Sequence, residues 1–91
     1  MKKISFCIIT NGKRPRELDL CVKSIHRNFV NSEDYEILIV GDNIPNIKSS
    51  KVKIVEDYEF QKFLGARKNI GTKNATGDVL VHCDDDIIFP N

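Results

Sequence analysis

No tryptophan, no long apolar run and almost no net charge mark this sequence. A helix that crosses a bilayer needs about 20 consecutive apolar residues, and no stretch here approaches that length. The formal net charge is +1, so no global field draws the chain to nucleic acid or to an anionic membrane. Its three cysteines, Cys7, Cys21 and Cys83, are odd in number and far apart. They form neither a zinc-ligand nor a disulfide pattern, which points to a reducing, cytoplasmic setting. The opening Met1-Lys2-Lys3 followed by apolar residues looks superficially like a leader. Its apolar part is too short and has no small-residue cleavage site, so it reads as a first strand.

Several chemistries are missing as well. No Gly-x-Gly-x-x-Gly follows the first apolar run, and no Gly-x-x-x-x-Gly-Lys-Ser/Thr phosphate loop occurs. There is no Gly-x-Ser-x-Gly elbow, which argues against a serine hydrolase. His26 and His82 lack metal-ligand spacing, and His82 is expected to be structural or to line a cleft. Cys83 precedes carboxylates that raise a thiol pKa, so it is a poor nucleophile.

What is present describes a small α/β domain. The 91 residues allow one domain, and the 41% apolar and 30% charged fractions are those of a soluble globular chain. Residues 4–10 are apolar on both faces, as in a strand buried within a parallel sheet. Leu18, Cys21, Val22, Ile25 and Phe29 recur at helical spacing, predicting a helix over 16–29 with Pro15 in or before its first turn. Residues 35–40 predict a second buried strand, and 44–50 a loop. Residues 52–55 predict an edge strand, flanked by Lys51 and Lys53. Phe60, Phe63, Leu64, Arg67 and Ile70 share one side of a second helix over 60–74, with Gly65 and Gly71 marking close approach or a break. Gly77 is a plausible C-terminal cap for it, and 79–83 predict a fourth, buried strand. This order calls for a Rossmann-like, mostly parallel four-stranded sheet with flanking helices and right-handed crossovers.

In open sheets of this kind, ligands sit beyond the carboxyl ends of the strands. Those ends here are Thr10-Asn11-Gly12, Gly41-Asp42-Asn43, Glu56-Asp57 and Asp84-Asp85-Asp86. All are polar or acidic, which predicts one shared cleft. Three adjacent aspartates repel one another unless solvent or a cation compensates them, and a hard divalent ion with oxygen ligands suits them. The plainer reading of such a triplet is a solvated acidic turn. A diphosphate-bearing donor would use this equipment, because Mg²⁺ or Mn²⁺ bridges phosphate oxygens to one or two carboxylates. An arginine such as Arg67 would add charge-assisted hydrogen bonds to the same oxygens.

The spaced ensemble Gly65-Ala66-Arg67-Lys68-Asn69-Ile70-Gly71, Ala75-Thr76-Gly77-Asp78-Val79-Leu80-Val81, Asp84-Asp85-Asp86 and Pro90 resembles the family-2 glycosyltransferases. That family carries an Ala-Arg-Asn-x-Gly…Ala-x-Gly-(strand)-Asp-x-Asp…Pro pattern on the nucleotide-binding half of a GT-A fold. Arg14-Pro15, Leu18, Cys21, Ser24-Ile25 and Glu36 to Asp42 agree with it, so the resemblance covers nearly all of the chain. It implies that the chain is a single nucleotide-sugar-binding portion, 1–91, of a longer enzyme that transfers a sugar from a nucleoside diphosphate donor, most often a uridine diphosphate sugar. Thr10, Asn11 and Asp42 would meet the base or ribose, and Arg67 the base or diphosphate. Asp84, Asp85 and Asp86 would hold ribose and Mn²⁺ or Mg²⁺. Taken as Asp-x-Asp, the triplet gives Asp84 and Asp86 to the metal. Counting back from Pro90 gives the metal to Asp85, with Asp84 toward ribose.

Three departures stand out. The family's Pro-Thr-Tyr-Asn loop is Thr10-Asn11-Gly12-Lys13 here, without an aromatic to stack on the base. The Asp-Asp pair after the second strand is Gly41-Asp42, and Lys68 displaces the Asn that usually follows Arg. No residue stands out as the catalytic base that sugar transfer to an acceptor requires, so the 91 residues alone are expected to bind donor and metal but transfer poorly. The rival readings are a non-catalytic nucleotide- or cation-binding module, and a structural half-domain whose open sheet edge is covered by a second copy in a homo-oligomer.

Overall fold

The computed structural model describes residues 3–29, 34–42, 44–47, 49–56 and 70–89. Four strands form one sheet: β1 (Ile4–Thr10), β2 (Tyr35–Gly41), β3 (Val52–Glu56) and β4 (Val79–Asp84). Their spatial order is β3-β2-β1-β4, and all three pairings are parallel. A parallel sheet must bury both faces, which explains why β1 and β2, the central pair, carry continuous apolar residues. β2 is buried along its whole length.

Helix α1 (Pro15–Asn28) covers one face. Its Leu18, Cys21, Val22 and Ile25 pack on Phe6 and Ile8 of β1, Tyr35, Ile37 and Ile39 of β2, and Cys83 of β4. Pro15 stands at the start of the helix, where a missing N–H costs nothing. Glu17 in the first turn and His26 and Arg27 in the last complement the helix dipole. Phe29 and Phe89 meet Phe6 edge-on, with ring centroids 5.3 and 5.7 Å away. The opposite face of the sheet presents Cys7, Leu38 and Val40, all buried. Gly71 lies against it, and a side chain there would come within 3.2 Å of the Cys7 sulfur. Residues 70–74 are helical, in agreement with the end of the expected second helix. The remainder of that helix, including Gly65 and Arg67, lies outside the described residues.

Two expectations are corrected. Among the described strands the fourth stands at the edge of the sheet and is not buried: of its residues only Cys83 is inaccessible, and Val79 is 40% exposed. Gly77 is not the left-handed cap of a helix, since the positive-φ glycines are Gly12 and Gly41. Gly77 is small because β1 passes beside it. A Cβ there would sit 2.5 Å from Ser5 Oγ and 2.8 Å from the Lys3 carbonyl oxygen.

That close approach belongs to a polar network at the amino ends of the strands. Ser5 donates to Glu36 Oε2 at 2.6 Å, and the Thr76 backbone N–H donates to the same oxygen at 2.7 Å. Thr76 Oγ1 adds a third bond at 3.1 Å, while Gly77 N–H donates to Ser5 Oγ at 2.8 Å. Lys3 Nζ lies 3.8 Å from Glu36 Oε1. Burial pushes the Glu36 carboxyl up, but these hydrogen bonds and the Lys3 charge outweigh it and hold the group below its ordinary range.

Candidate functional site at the carboxyl ends of the strands

The register sets what meets at the other end. Thr10 pairs with Gly41, Gly41 with Glu56, and Ile9 with Asp84, so the last residues of all four strands lie along one edge. The central strands stay paired to that end. Gly41 has φ +154°, and a Cβ on it would lie 1.8 Å from the Thr10 carbonyl oxygen. Only glycine fits. The same carbonyl accepts the Asp42 backbone N–H at 3.3 Å, which brings Asp42 beside the end of β1.

The acidic triplet ends β4 with Asp84 and turns at Asp85 and Asp86, with Ile87 N–H returning to the Asp84 carbonyl at 3.4 Å. Its three members are treated differently. Asp84 and Asp86 are exposed, whereas Asp85 is only 5% exposed. Thr10 Oγ1 donates to Asp85 Oδ2 at 2.9 Å and itself accepts the Gly12 N–H at 3.1 Å. The Arg14 guanidinium places Nε 3.6 Å from Asp85 Oδ1 and Nη1 2.9 Å from Asp86 Oδ2. The turn is held from its far side too. Phe89 N–H donates to Ser24 Oγ at 3.0 Å, and Arg27 Nη2 donates to the Phe89 carbonyl at 3.1 Å. A buried carboxylate without partners would be costly, so Thr10 and Arg14 explain how Asp85 can be inaccessible.

The structure therefore brings Thr10, Asp42, Asp84, Asp85 and Asp86 to one edge of the sheet. Asn11 stands there as well, exposed, with its Oδ1 accepting the Lys13 N–H at 3.0 Å in the loop that leads into α1. Arg67 lies outside the described residues. Arg14 was not among the candidate residues, although a signal for it existed. It directly precedes Pro15 at the start of the helix that follows β1, and that position is always at the carboxyl edge of a parallel sheet.

Among the described residues, no group of three or more His, Cys, Asp or Glu side chains is arranged to hold a metal ion. A nucleotide-associated divalent cation needs less, because one or two carboxylates suffice when phosphate oxygens and water complete its shell. The exposed carboxylates of Asp84 and Asp86 are hard oxygen donors of that kind. Beside Asp84 lies a hollow of about 160 Å³ lined by Ile9, His82, Cys83, Asp84 and Ile87. The Cys83 thiol is pushed up to about 11, chiefly by burial and then by Cys7 and Asp84. Burial also raises Cys7 to about 11 and Cys21 to about 12, and all three thiols are free. Burial thus disfavours the thiolate that each would need to act as a nucleophile.

No model of a protein family matches the chain. In sequence it is similar to YwdF, an uncharacterized glycosyltransferase of Bacillus subtilis (strain 168), with 33% identity over 93 aligned positions. The match takes in 96% of this chain and 34% of the relative, so the chain spans about a third of that protein's length. In structure it is similar to residues 1–349 of S. aureus TarS, with a TM-score of 0.75 and 18% identity, over 94% of this chain and 28% of the other. That likeness concerns the fold, a Rossmann-like parallel sheet. The resemblance to glycosyltransferases thus extends across nearly the whole chain in sequence. No helix among the described residues is long and apolar enough to cross a membrane.

Proposed function

We propose that this chain is the donor-binding portion of a glycosyltransferase of the family-2 type, taking a nucleoside diphosphate sugar together with Mn²⁺ or Mg²⁺. The observation that carries the reading is the pinned acidic turn. Asp85 is buried between Thr10 and Arg14, and this fixes two exposed carboxylates, Asp84 and Asp86, at the ligand edge of a parallel sheet. A merely solvated turn has no need of a buried anchor.

In this reading Asp86 offers its carboxylate to the divalent cation, and Asp84 faces the ribose or shares the metal. Asp85 acts as the residue that positions both, a role different from the direct metal ligation suggested by counting back from Pro90. Asp42, beside the end of β1, lies at the base and ribose side, with Thr10 and Asn11 forming the floor and rim of that side. Arg67 would approach the diphosphate. A uridine diphosphate sugar is the donor the resemblance favours. The bound cation would neutralise charge on the departing diphosphate. The odd number and wide spacing of the three cysteines fit a reducing, cytoplasmic setting.

Calorimetric titration of the chain with uridine diphosphate, with and without Mn²⁺, tests the proposal. Binding strengthened at least about tenfold by Mn²⁺, and weakened about tenfold or more in Asp86→Ala, is the expected result. Equal affinity with and without the metal, unchanged by substitution of Asp84 or Asp86, would sink it.

A further inference from the structure

We propose that Arg14 is a built-in counter-cation of the acidic turn, and that it and a divalent cation exclude one another at Asp86. The inference rests on the donor-and-metal reading above and adds an order to it: metal enters well only together with a diphosphate. Arg14 Nη1 is 2.9 Å from Asp86 Oδ2, and its Nε is 3.6 Å from Asp85 Oδ1. One guanidinium thus bridges two neighbouring carboxylates and offsets part of their mutual repulsion. A metal ion coordinated by Asp86 would place two further positive charges next to that guanidinium, and the two cations cannot share the carboxylate without mutual repulsion.

The geometry lets Arg14 leave without dismantling the site. Its side chain is 52% exposed and that of Asp86 48%. Arg14 also lacks any side-chain hydrogen bond capping α1, so the start of the helix does not depend on its guanidinium. Asp85 keeps its bond from Thr10, and the turn keeps the clasp of Phe89 on Ser24 and Arg27. A guanidinium displaced from Asp86 remains at the cleft edge, where diphosphate oxygens offer bidentate replacement partners. Arg14 is therefore a positioning residue that couples metal entry to the anion.

The test measures Mn²⁺ binding alone, from the electron paramagnetic resonance signal of free Mn²⁺, in the wild-type chain and in Arg14→Met, Arg14→Gln and Arg14→Lys. Removing the charge should tighten Mn²⁺ binding roughly three- to tenfold in the Met and Gln variants. Lys, which keeps the charge, should stay near wild type, and Asp86→Asn should abolish the differences. Adding uridine diphosphate should strengthen Mn²⁺ binding more in wild type than in Arg14→Met. Unfolding curves of each variant identify one that fails to fold, and the other neutral variant then carries the test. Unchanged or weaker Mn²⁺ binding in the folded neutral variants overturns the inference. Failure of the donor reading shows separately, as wild-type chain that binds no uridine diphosphate with Mn²⁺ present.

Discussion

The two ends of this sheet solve the same problem in opposite ways. Each buries a carboxylate: Glu36 at the amino end and Asp85 at the carboxyl end. Glu36 is closed off, with Ser5 and both donors of Thr76 on one oxygen and Lys3 near the other. The hollow beside it, about 360 Å³, is bordered by Lys3, Lys51 and Lys53. Asp85 is held by Thr10 and a half-exposed arginine, and two more carboxylates stand next to it in the open. One end spends its acid on cohesion within the fold. The other gathers three carboxylates against the guanidinium of Arg14 among the described residues.

Substitutions should separate the ends. The largest effect is expected at Gly41, where the carboxyl end has a purely structural constraint. Gly41→Ala drives a methyl into the Thr10 carbonyl and should cost about 3 kcal/mol in urea unfolding. A smaller cost would mean that β1 and β2 can part at the site. Next comes Glu36→Ala, which strands the Ser5 hydroxyl and the Thr76 N–H and should cost about 2–3 kcal/mol, with donor affinity changed less than about twofold. Loss of affinity as large as the loss of stability would break the distinction between the ends. Asp86→Ala should do the reverse. Its exposed ion pair contributes about 0–1 kcal/mol to stability, whereas binding of uridine diphosphate with Mn²⁺ should fall about tenfold or more, as one charge-assisted contact is worth.

Acid should weaken the amino end. Because the folded Glu36 pKa is lowered, the unfolded chain takes up protons before the folded chain does. The stability this group contributes is complete above the unfolded value of about 4.3 and disappears as pH falls through the folded value. The urea midpoint of wild type should therefore drop below about pH 4.3 more steeply than that of Glu36→Gln. The smallest effect is expected at His26, whose ring meets the Tyr35 hydroxyl at 2.7 Å. Burial, and then the Lys51 charge, lowers its pKa, so stability should decline slightly as pH falls below about 6.5. An unaltered slope in His26→Asn would show that the ring is protonated equally in both states.

Much of this architecture was legible beforehand because its signals are local. Apolar runs of strand length announced β1 and β2. The 3.6-residue spacing of Leu18, Cys21, Val22 and Ile25 announced α1, and the structure begins that helix one residue earlier, at Pro15. Position along the chain even located the acidic turn, since a parallel sheet collects every strand end at one edge. What stayed hidden were properties that depend on neighbours. Val79 to Cys83 look like a buried strand because their apolar content is the same at an edge as at the centre of a sheet. Gly77 looks like a cap because glycine serves equally for a left-handed turn and for a tight approach, and only the presence of β1 distinguishes them.

Hydrophobic period and chain connectivity were enough to specify the parallel α/β order, the central apolar strands and the edge where the strand ends gather. The tertiary structure alone decided how the three aspartates divide their work. They are identical in residue type, so composition and spacing cannot separate them. Thr10, 75 residues away, and Arg14 make Asp85 an internal anchor and leave Asp84 and Asp86 at the surface. Burial and partner choice are set by contacts across the sheet, and those exist only once the chain has folded.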